Sequence, residues 1–487
     1  VNIGGTSRDV SGFRASPFYY NAPASYRFDY SNPNVPLYSG LSPAAMDAAH
    51  YNLGGYTDDD TRSRASTYSV RFDYATPHIA AGFRIRSEDA RYVDQSYSAT
   101  YTGAALPLTQ FVSGFHDPGF YSAIHPLDLG PVPDDAAVRA YENAHPGLFA
   151  RTVDTLANAL GSFSGSERVY ATYAMGRTTV GAASFNAGLR MEVTDGSYVG
   201  RGAAGHQTYA DVFPSAQVKL QVDDATDVRV AASRAIGRPN FSDLAPSVSG
   251  LPGDPATIVM IGNPNLRPEY SWNIDLLGER FLSKAGIVSA GFFYKNVSNF
   301  IFVHSIPGYR ATPYNDGPNY RAGQPRNGSA GMLLGAEAAW NQQLTFLPGI
   351  LSGLGFDING TLTTSWARIG DRRVRLPRQA PALANTALVY ERGPIEIRAA
   401  WAYQAANIVS YGDGTSNPAT GDQYFYAHGQ IDASIEWKPF RDTEIELEGT
   451  NLNDAVFGFY AGTPRAHYSF QREYYGQTFA IGVKREF

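Results

Sequence analysis

The sequence predicts an all-β fold, a transmembrane antiparallel up-and-down β-barrel with short turns at one end and long loops at the other. Three observations carry that expectation. Segments of about ten residues alternate apolar and polar side chains with period two. Tight turns and long irregular connections follow one another along the chain. The composition is aromatic and glycine-rich but poor in charge: 32 Tyr, 27 Phe and 49 Gly in 487 residues, with 17% charged. A wall that shows lipid on one face and a polar lumen on the other has this balance, and its mean hydropathy of −0.27 looks soluble. No apolar run is long enough for an α-helical span. A soluble sandwich is disfavoured, because its strands are about five or six residues long.

The clearest strand is Gln430–Lys438. Ile431, Ala433, Ile435 and Trp437 point one way, and Asp432, Ser434, Glu436 and Lys438 the other. After a turn at Pro439–Asp442, Glu444, Glu446 and Glu448 alternate with Ile445, Leu447 and Gly449. Three glutamates on one face suit a watery lumen, since each would cost several kcal/mol in lipid. The same pattern recurs at 68–74 and 79–85, 185–194, 216–222 and 228–232, 272–276 and 288–294, and 395–401. Tight turns are expected near 75–77, 176–178, 223–226, 283–286, 347–352, 391–394 and 438–441. Long connections are expected near 32–65, 103–165, 195–206, 239–268, 305–328, 370–377, 409–425 and 453–475. Short turns mark the periplasmic side and long loops the outside. Counting back from the C-terminus gives about 16 strands. One connection reads as helical: Asp134 as an N-cap, then Ala136–Ala144 and Leu148–Leu160 around Pro146.

Chemistry is sparse. There is no Cys, which excludes disulfides and thiolate metal sites. The nine His have no HExxH-type spacing, so no metal, cofactor or enzymatic role is expected. Gly161–Gly165 resembles a nucleophile elbow, but its serines are at the wrong offset. A net charge of −6 without a Lys/Arg cluster gives no reason to expect nucleic acid. Two loop clusters combine aromatic faces with polar neighbours, as small-ligand sites do: Tyr309, Arg310, Tyr314, Asp316, Tyr320 and Arg321 in one, Tyr411, Asp413 and Tyr424 in the other. The same composition is ordinary for solvated loops.

Longer motifs carry a resemblance. Arg238-Pro239-Asn240-Phe241-Ser242-Asp243-Leu244-Ala245-Pro246 precedes Gly262-Asn263-Pro264-Asn265-Leu266-Arg267-Pro268-Glu269. Gly291–Asn296, then Gly449-Thr450-Asn451-Leu452-Asn453-Asp454, and an aromatic-ended last strand to Phe487 follow. Together these resemble TonB-dependent receptors, well over 165–487 and loosely before, with the flavour of the large subfamily of Caulobacter- and Xanthomonas-like bacteria. The residues themselves read as architecture: the prolines fix sharp strand entries, and Arg238, Arg267 and Glu269 are placed to pair inside the lumen. Phe487 matches the terminal aromatic that barrel-assembly machinery recognises.

The resemblance implies a Gram-negative outer-membrane protein that takes up a scarce small nutrient. Its implied partners are outer-membrane lipid, lipopolysaccharide and the TonB energy-coupling complex, reached through an N-terminal plug. That plug and the TonB-binding segment are not visible in 1–487, and barrels of this kind have about 22 strands. The chain is therefore expected to be the C-terminal part of the receptor barrel. The alternative is a plugless passive pore.

Overall fold

A computed structural model describes residues 2–485 apart from 16–17, 22–26, 30–36, 40–41, 116–129, 154–157, 160, 201–202, 250–257, 283–284, 308–320, 413–420 and 464–466. The wall consists of sixteen long strands. The first eight are β1 (Asn2–Ala15), β2 (Asn52–Ala75), β3 (Ile79–Tyr101), β4 (Phe163–Val180), β5 (Ala183–Gly200), β6 (Ala203–Asp223), β7 (Thr226–Gly237) and β8 (Glu269–Leu282). The others are β9 (Gly286–Ser298), β10 (Ala330–Gln343), β11 (Leu354–Ile369), β12 (Ala382–Arg392), β13 (Ile395–Gln404), β14 (His428–Phe440), β15 (Thr443–Thr450) and β16 (Thr478–Arg485). Each pairs antiparallel with the next, from β1–β2 through β15–β16. The strand count agrees with the sequence expectation.

The alternation holds across registers, and that is what defines two faces. Ile397, Ile435, Leu447 and Ile481 are aligned partners on four successive strands, as are Ile395, Trp437, Ile445 and Val483. Ile435, Trp437, Leu447 and Ile481 are exposed, and the five residues Ile395, Ile435, Trp437, Ile445 and Leu447 line one shallow apolar groove. Tyr68, Phe72, Phe83, Leu189, Trp272, Phe292, Trp340 and Leu362 continue this belt on other strands. Large apolar side chains left open in such number suit acyl chains rather than water.

The opposite face is charged, and many of its charges are paired. Tyr173 donates to Asp73 at 2.7 Å, Arg86 to Glu167 at 3.0 Å, and Lys219 meets Asp227 at 2.7 Å. Arg229 lies 3.6 Å from Glu279, and Arg398 lies 3.6 Å from Asp357. Glu436 and Glu446 are aligned partners on this face.

Three local expectations change. The turn expected near 176–178 lies at Gly181–Ala182, where Gly181 takes φ +56°. Gly176, Arg177 and Thr178 remain in β4, and Arg177 is held by the carbonyls of Pro77 and Thr76 at 2.6 and 2.9 Å. Asp134 does cap a helix, α1 (Asp135–Ala144), by accepting from the Ala137 N–H at 3.0 Å. The second helix is not formed over 149–153. Phe149–Val153 is a strand, because the overhanging end of β3 at Tyr97–Tyr101 offers it a ladder of backbone partners. Finally, much of 32–65 and 195–206 is wall rather than loop: β2 alone runs 24 residues and β6 runs 21.

Candidate functional site

The long connections lie at one end of the sheet, and four of them knit into a crown. The β7–β8 connection (strands Val248–Ser249 and Ile258–Ile261) pairs with the β9–β10 connection (Ile301–Pro307 and Arg321–Asn327). The β13–β14 connection (Asn407–Ser410 and Gln423–Phe425) pairs with the β15–β16 connection (Phe457–Gly462 and His467–Glu473). A parallel bridge between His304 and Tyr411 joins the two small sheets. Phe300, Phe302, Ala367, Ile408 and Tyr411 form a buried apolar cluster beneath that joint. The Phe302 and Tyr411 rings meet at 5.8 Å and 72°.

Beside this cluster is a cleft of about 490 Å³, a volume suited to a small molecule. Arg372 anchors one side, donating to Asp422 at 2.7 Å and to the Gly412 carbonyl at 2.6 Å. Asp422 also accepts from the Gly412 N–H at 2.8 Å, so this buried carboxylate is fully occupied. Arg373 and Arg375 are exposed on the rim, with the Arg373 guanidinium 5.3 Å from the centre of the Trp366 ring. Tyr424 lines the cleft and stacks on Tyr460 at 5.1 Å and 8°. Burial, reinforced by nearby Asp422, pushes the Tyr411 and Tyr424 hydroxyls up, and burial carries Tyr460 to about 12. These phenols are therefore neutral donors at physiological pH. Burial and then Arg326 hold His304 below the usual imidazole value. The cleft thus offers two cations that make no ion pair among the described residues, an indole face and the neutral Tyr424 phenol, a chemistry that receives anionic or aromatic small molecules.

Of the residues singled out by sequence, Tyr411 and Tyr424 come together here. Tyr309, Arg310, Tyr314, Asp316, Tyr320, Asp413 and Phe487 lie outside the described residues, and Arg321 is described only as the first residue of its strand. Trp366, Arg372, Arg373 and Arg375 were missed. The Asp-Arg-Arg-Val-Arg run at 371–375 was the available signal, inside a connection already marked as a loop.

The family-like motifs fold inward and lock the crown to the wall. After β7 the chain turns back over the inner face of β4 and β5. There Phe241 crowds Gly165 and packs against Tyr198, and Leu244, Ala245 and Leu266 are buried with Tyr198. Gly262 admits no side chain, because a Cβ would strike the Ala245 carbonyl. Arg238 reaches Glu192 at 2.6 Å, Thr194 at 2.9 Å and Glu167 at 3.8 Å, three side chains that are nearly or fully buried. The expected mutual pairing with Arg267 and Glu269 is not made. Glu269 accepts the Ile301 N–H, and the Arg267 side chain is exposed. Arg267 contributes its backbone instead: Asn327 bonds both its N–H and its carbonyl, at 2.9 and 2.8 Å.

Asn263 donates to the Pro325 carbonyl at 3.0 Å, Gln207 to the carbonyls of Pro264 and Leu266, and Asn299 to that of Pro268. Asn240, which follows Pro239 and is itself extended, donates to Asp243 at 3.1 Å. At the top of β15, Asn451 takes φ +55°, receives the Ala455 N–H and donates to the Gly476 carbonyl. Asn453 bonds both Ile431 and Gly429 of β14.

Comparison with known proteins agrees with this geometry. Residues 6–452 match the family described as TonB dependent receptor-like, beta-barrel. The chain belongs to that family, and its sheet is a multi-pass wall of a Gram-negative outer membrane. No curated protein matches it. Similar solved structures include the ferric-catecholate import receptor Fiu from K12 E. coli, at 14% identity and a TM-score of 0.52. That likeness covers 100% of this chain and 62% of Fiu. The ferric citrate transporter FecA is 13% identical with a TM-score of 0.51, covering 99% of this chain and 62% of its own. The copper transporter OprC is 15% identical at 0.52, covering 89% and 57%. These likenesses establish the fold, and the chain spans less than two thirds of each relative's length.

Proposed function

We propose that the protein is an energy-coupled receptor that captures a scarce small nutrient, anionic in character, at the extracellular crown. The observation that carries this reading is the cleft itself: Arg373 and Arg375, which make no ion pair among the described residues, the Trp366 face and Tyr424, held by Arg372 and its buried partner Asp422 at the mouth of a polar-lined wall. The wall supplies a charged inner path and an apolar belt, and it catalyses nothing. Energy coupling to TonB through a plug is implied by the family, and the greater length of the similar structures leaves room for such parts. The solved relatives are named as carriers of ferric chelates or copper, which makes negatively charged iron chelates the first ligands to try.

The test is accumulation of radiolabelled iron chelates by cells carrying the intact gene. Uptake is expected to stop when TonB is deleted or the proton gradient is collapsed. Arg375→Ala with Arg373→Ala is expected to weaken capture at least about tenfold, the scale of two lost charge-assisted contacts. Uptake indifferent to both TonB and the gradient would make the protein a passive pore.

A further inference from the structure

On the reading of the cleft as a capture site for an anionic nutrient, we infer that Tyr411 is a positioning residue: from behind the cleft its hydroxyl fixes the backbone that carries Arg375, and it does not touch the ligand itself. Tyr411 is only 5% exposed and belongs to the apolar cluster beneath the crown joint, whereas Trp366, Arg373, Arg375 and Tyr424 line the cleft. A phenol buried this deeply needs an acceptor for its proton. Burial pushes its pKa up, so it stays a donor at physiological pH. The acceptor is the Arg375 carbonyl, at 2.5 Å. Of all the carbonyls in the crown, the phenol thus holds that of a residue whose cation faces the ligand.

The neighbouring bonds turn this contact into a clamp. Gly412, next in the chain, accepts from Arg372 at 2.6 Å and donates its N–H to Asp422 at 2.8 Å. The run Arg372–Arg375 is therefore tied at both ends to the adjacent residues Tyr411 and Gly412. Just beyond it, the Leu376 N–H donates to the Ser365 hydroxyl at 3.1 Å. The Arg375 side chain itself is exposed on a long flexible stem, so the backbone beneath it decides where its charge can reach. Holding that backbone removes part of the ordering cost that a ligand would otherwise meet.

The clamp is set from the other small sheet. The Phe302 ring stands against Tyr411 at 5.8 Å and 72°, and His304 bridges to the Tyr411 backbone. Both belong to Ile301–Pro307 of the β9–β10 connection. A segment that lines no part of the cleft thereby governs how well the cleft receives an anion.

The experiment uses the full-length protein purified from outer membranes. Calorimetric titration would compare ferric citrate, an anionic probe, with a neutral ferric trihydroxamate. R375A is expected to weaken ferric citrate, as the capture reading requires. Y411F, which keeps the ring, is expected to weaken it about fivefold, the scale of one lost hydrogen bond, and to treat the trihydroxamate as the wild type does. Y411F/R375A is expected to bind no more weakly than R375A, because a residue that acts through Arg375 then has nothing left to position. F302L is expected to repeat the Y411F pattern by a smaller factor. It carries the same comparisons should Y411F lose the heat-modifiable gel shift of a folded barrel. Wild-type affinity in folded Y411F, equal losses for the two probes, or additive losses in the double variant overturn the inference. A wild type that ignores ferric citrate, or R375A that binds it normally, overturns the capture reading instead. Amide exchange over 372–376 then decides the clamp: protection is expected to fall about fivefold in Y411F, and unchanged protection overturns it.

Discussion

At the residue scale, Arg238 shows how a motif can be conspicuous without touching a ligand. Its guanidinium is the shared partner of Glu192 and Glu167, two carboxylates almost removed from water. Breaking a buried pair from one side leaves an uncompensated charge, at a cost of about 3–5 kcal/mol. Arg238→Ala is therefore expected to lower the free energy of urea unfolding in detergent by that amount, whereas Arg267→Ala, an exposed side chain, is expected to change it by less than about 0.5 kcal/mol. Equal effects of the two would refute the assignment.

His304 makes a pH prediction. Its folded value lies below the ordinary imidazole value, so the fold favours the neutral ring. The stability it contributes is complete above the ordinary value and is lost as pH falls through the lower folded one. Among the described residues, those facing it are Phe302, Tyr411, Gln324 and Arg326, of which Arg326 is charged. Amide protection over 301–307, corrected for the intrinsic pH dependence of exchange, is expected to fall as pH goes from about 7.5 to about 5 in the wild type and to change little in His304→Asn. A flat wild-type profile would sink the idea.

At the scale of elements, the wall was legible and the crown was not. Parity is a local property: Glu444, Glu446 and Glu448 announce a wet face from three positions in one strand, and the strand opposite needs only to agree. Turn positions followed wherever apolar alternation ran to the end of a strand. They slipped at 176–178 because Gly-Arg-Thr has turn composition, and the two carbonyls that hold Arg177 in β4 come from a hairpin 100 residues earlier. Within the helix expected over Leu148–Leu160, Phe149–Val153 failed for a related reason, since a free strand edge on β3 outcompetes intrinsic helix preference. Crown pairings such as Ile258 with Arg321 and Gln423 with Ala461 join separate connections, and no periodicity records them. Hence Tyr411 and Tyr424 were named, but Arg372, their electrostatic anchor, was not.

The faces themselves can be tested. Leu447→Arg puts a charge near mid-depth of the lipid side and is expected to destabilise the wall by about 2–4 kcal/mol. Glu446→Gln on the inner side is expected to cost far less. Folding into vesicles across a denaturant series measures both, and a larger penalty at Glu446 would invert the wall.

At the scale of the whole molecule, the alternation of connections predicts sidedness. An epitope tag inserted at Gly370–Asp371, between β11 and its short crown-side strand, is expected to be stained on intact cells. The same tag at Asp224–Ala225, in the β6–β7 turn, is expected to stain only after the outer membrane is permeabilised. The reverse pattern would turn the barrel over. Because the chain has no Cys, single-cysteine labelling at the same sites gives a second readout free of background.

The 24 residues of β2 have a further meaning for the cell surface. At about 3.3 Å per residue and a tilt of about 40°, such a strand climbs about 60 Å, whereas the apolar belt of an outer-membrane barrel is about 25 Å tall. More than half of the strand is thus a parapet standing in water. A molecule approaching from outside meets that parapet before it meets the lipid, at about the height of the sugars that carpet such a membrane. Antibodies and phages meet it as well. The flanks of that parapet, and not only its loops, are the surface on which the protein would be recognised and through which its variants would escape.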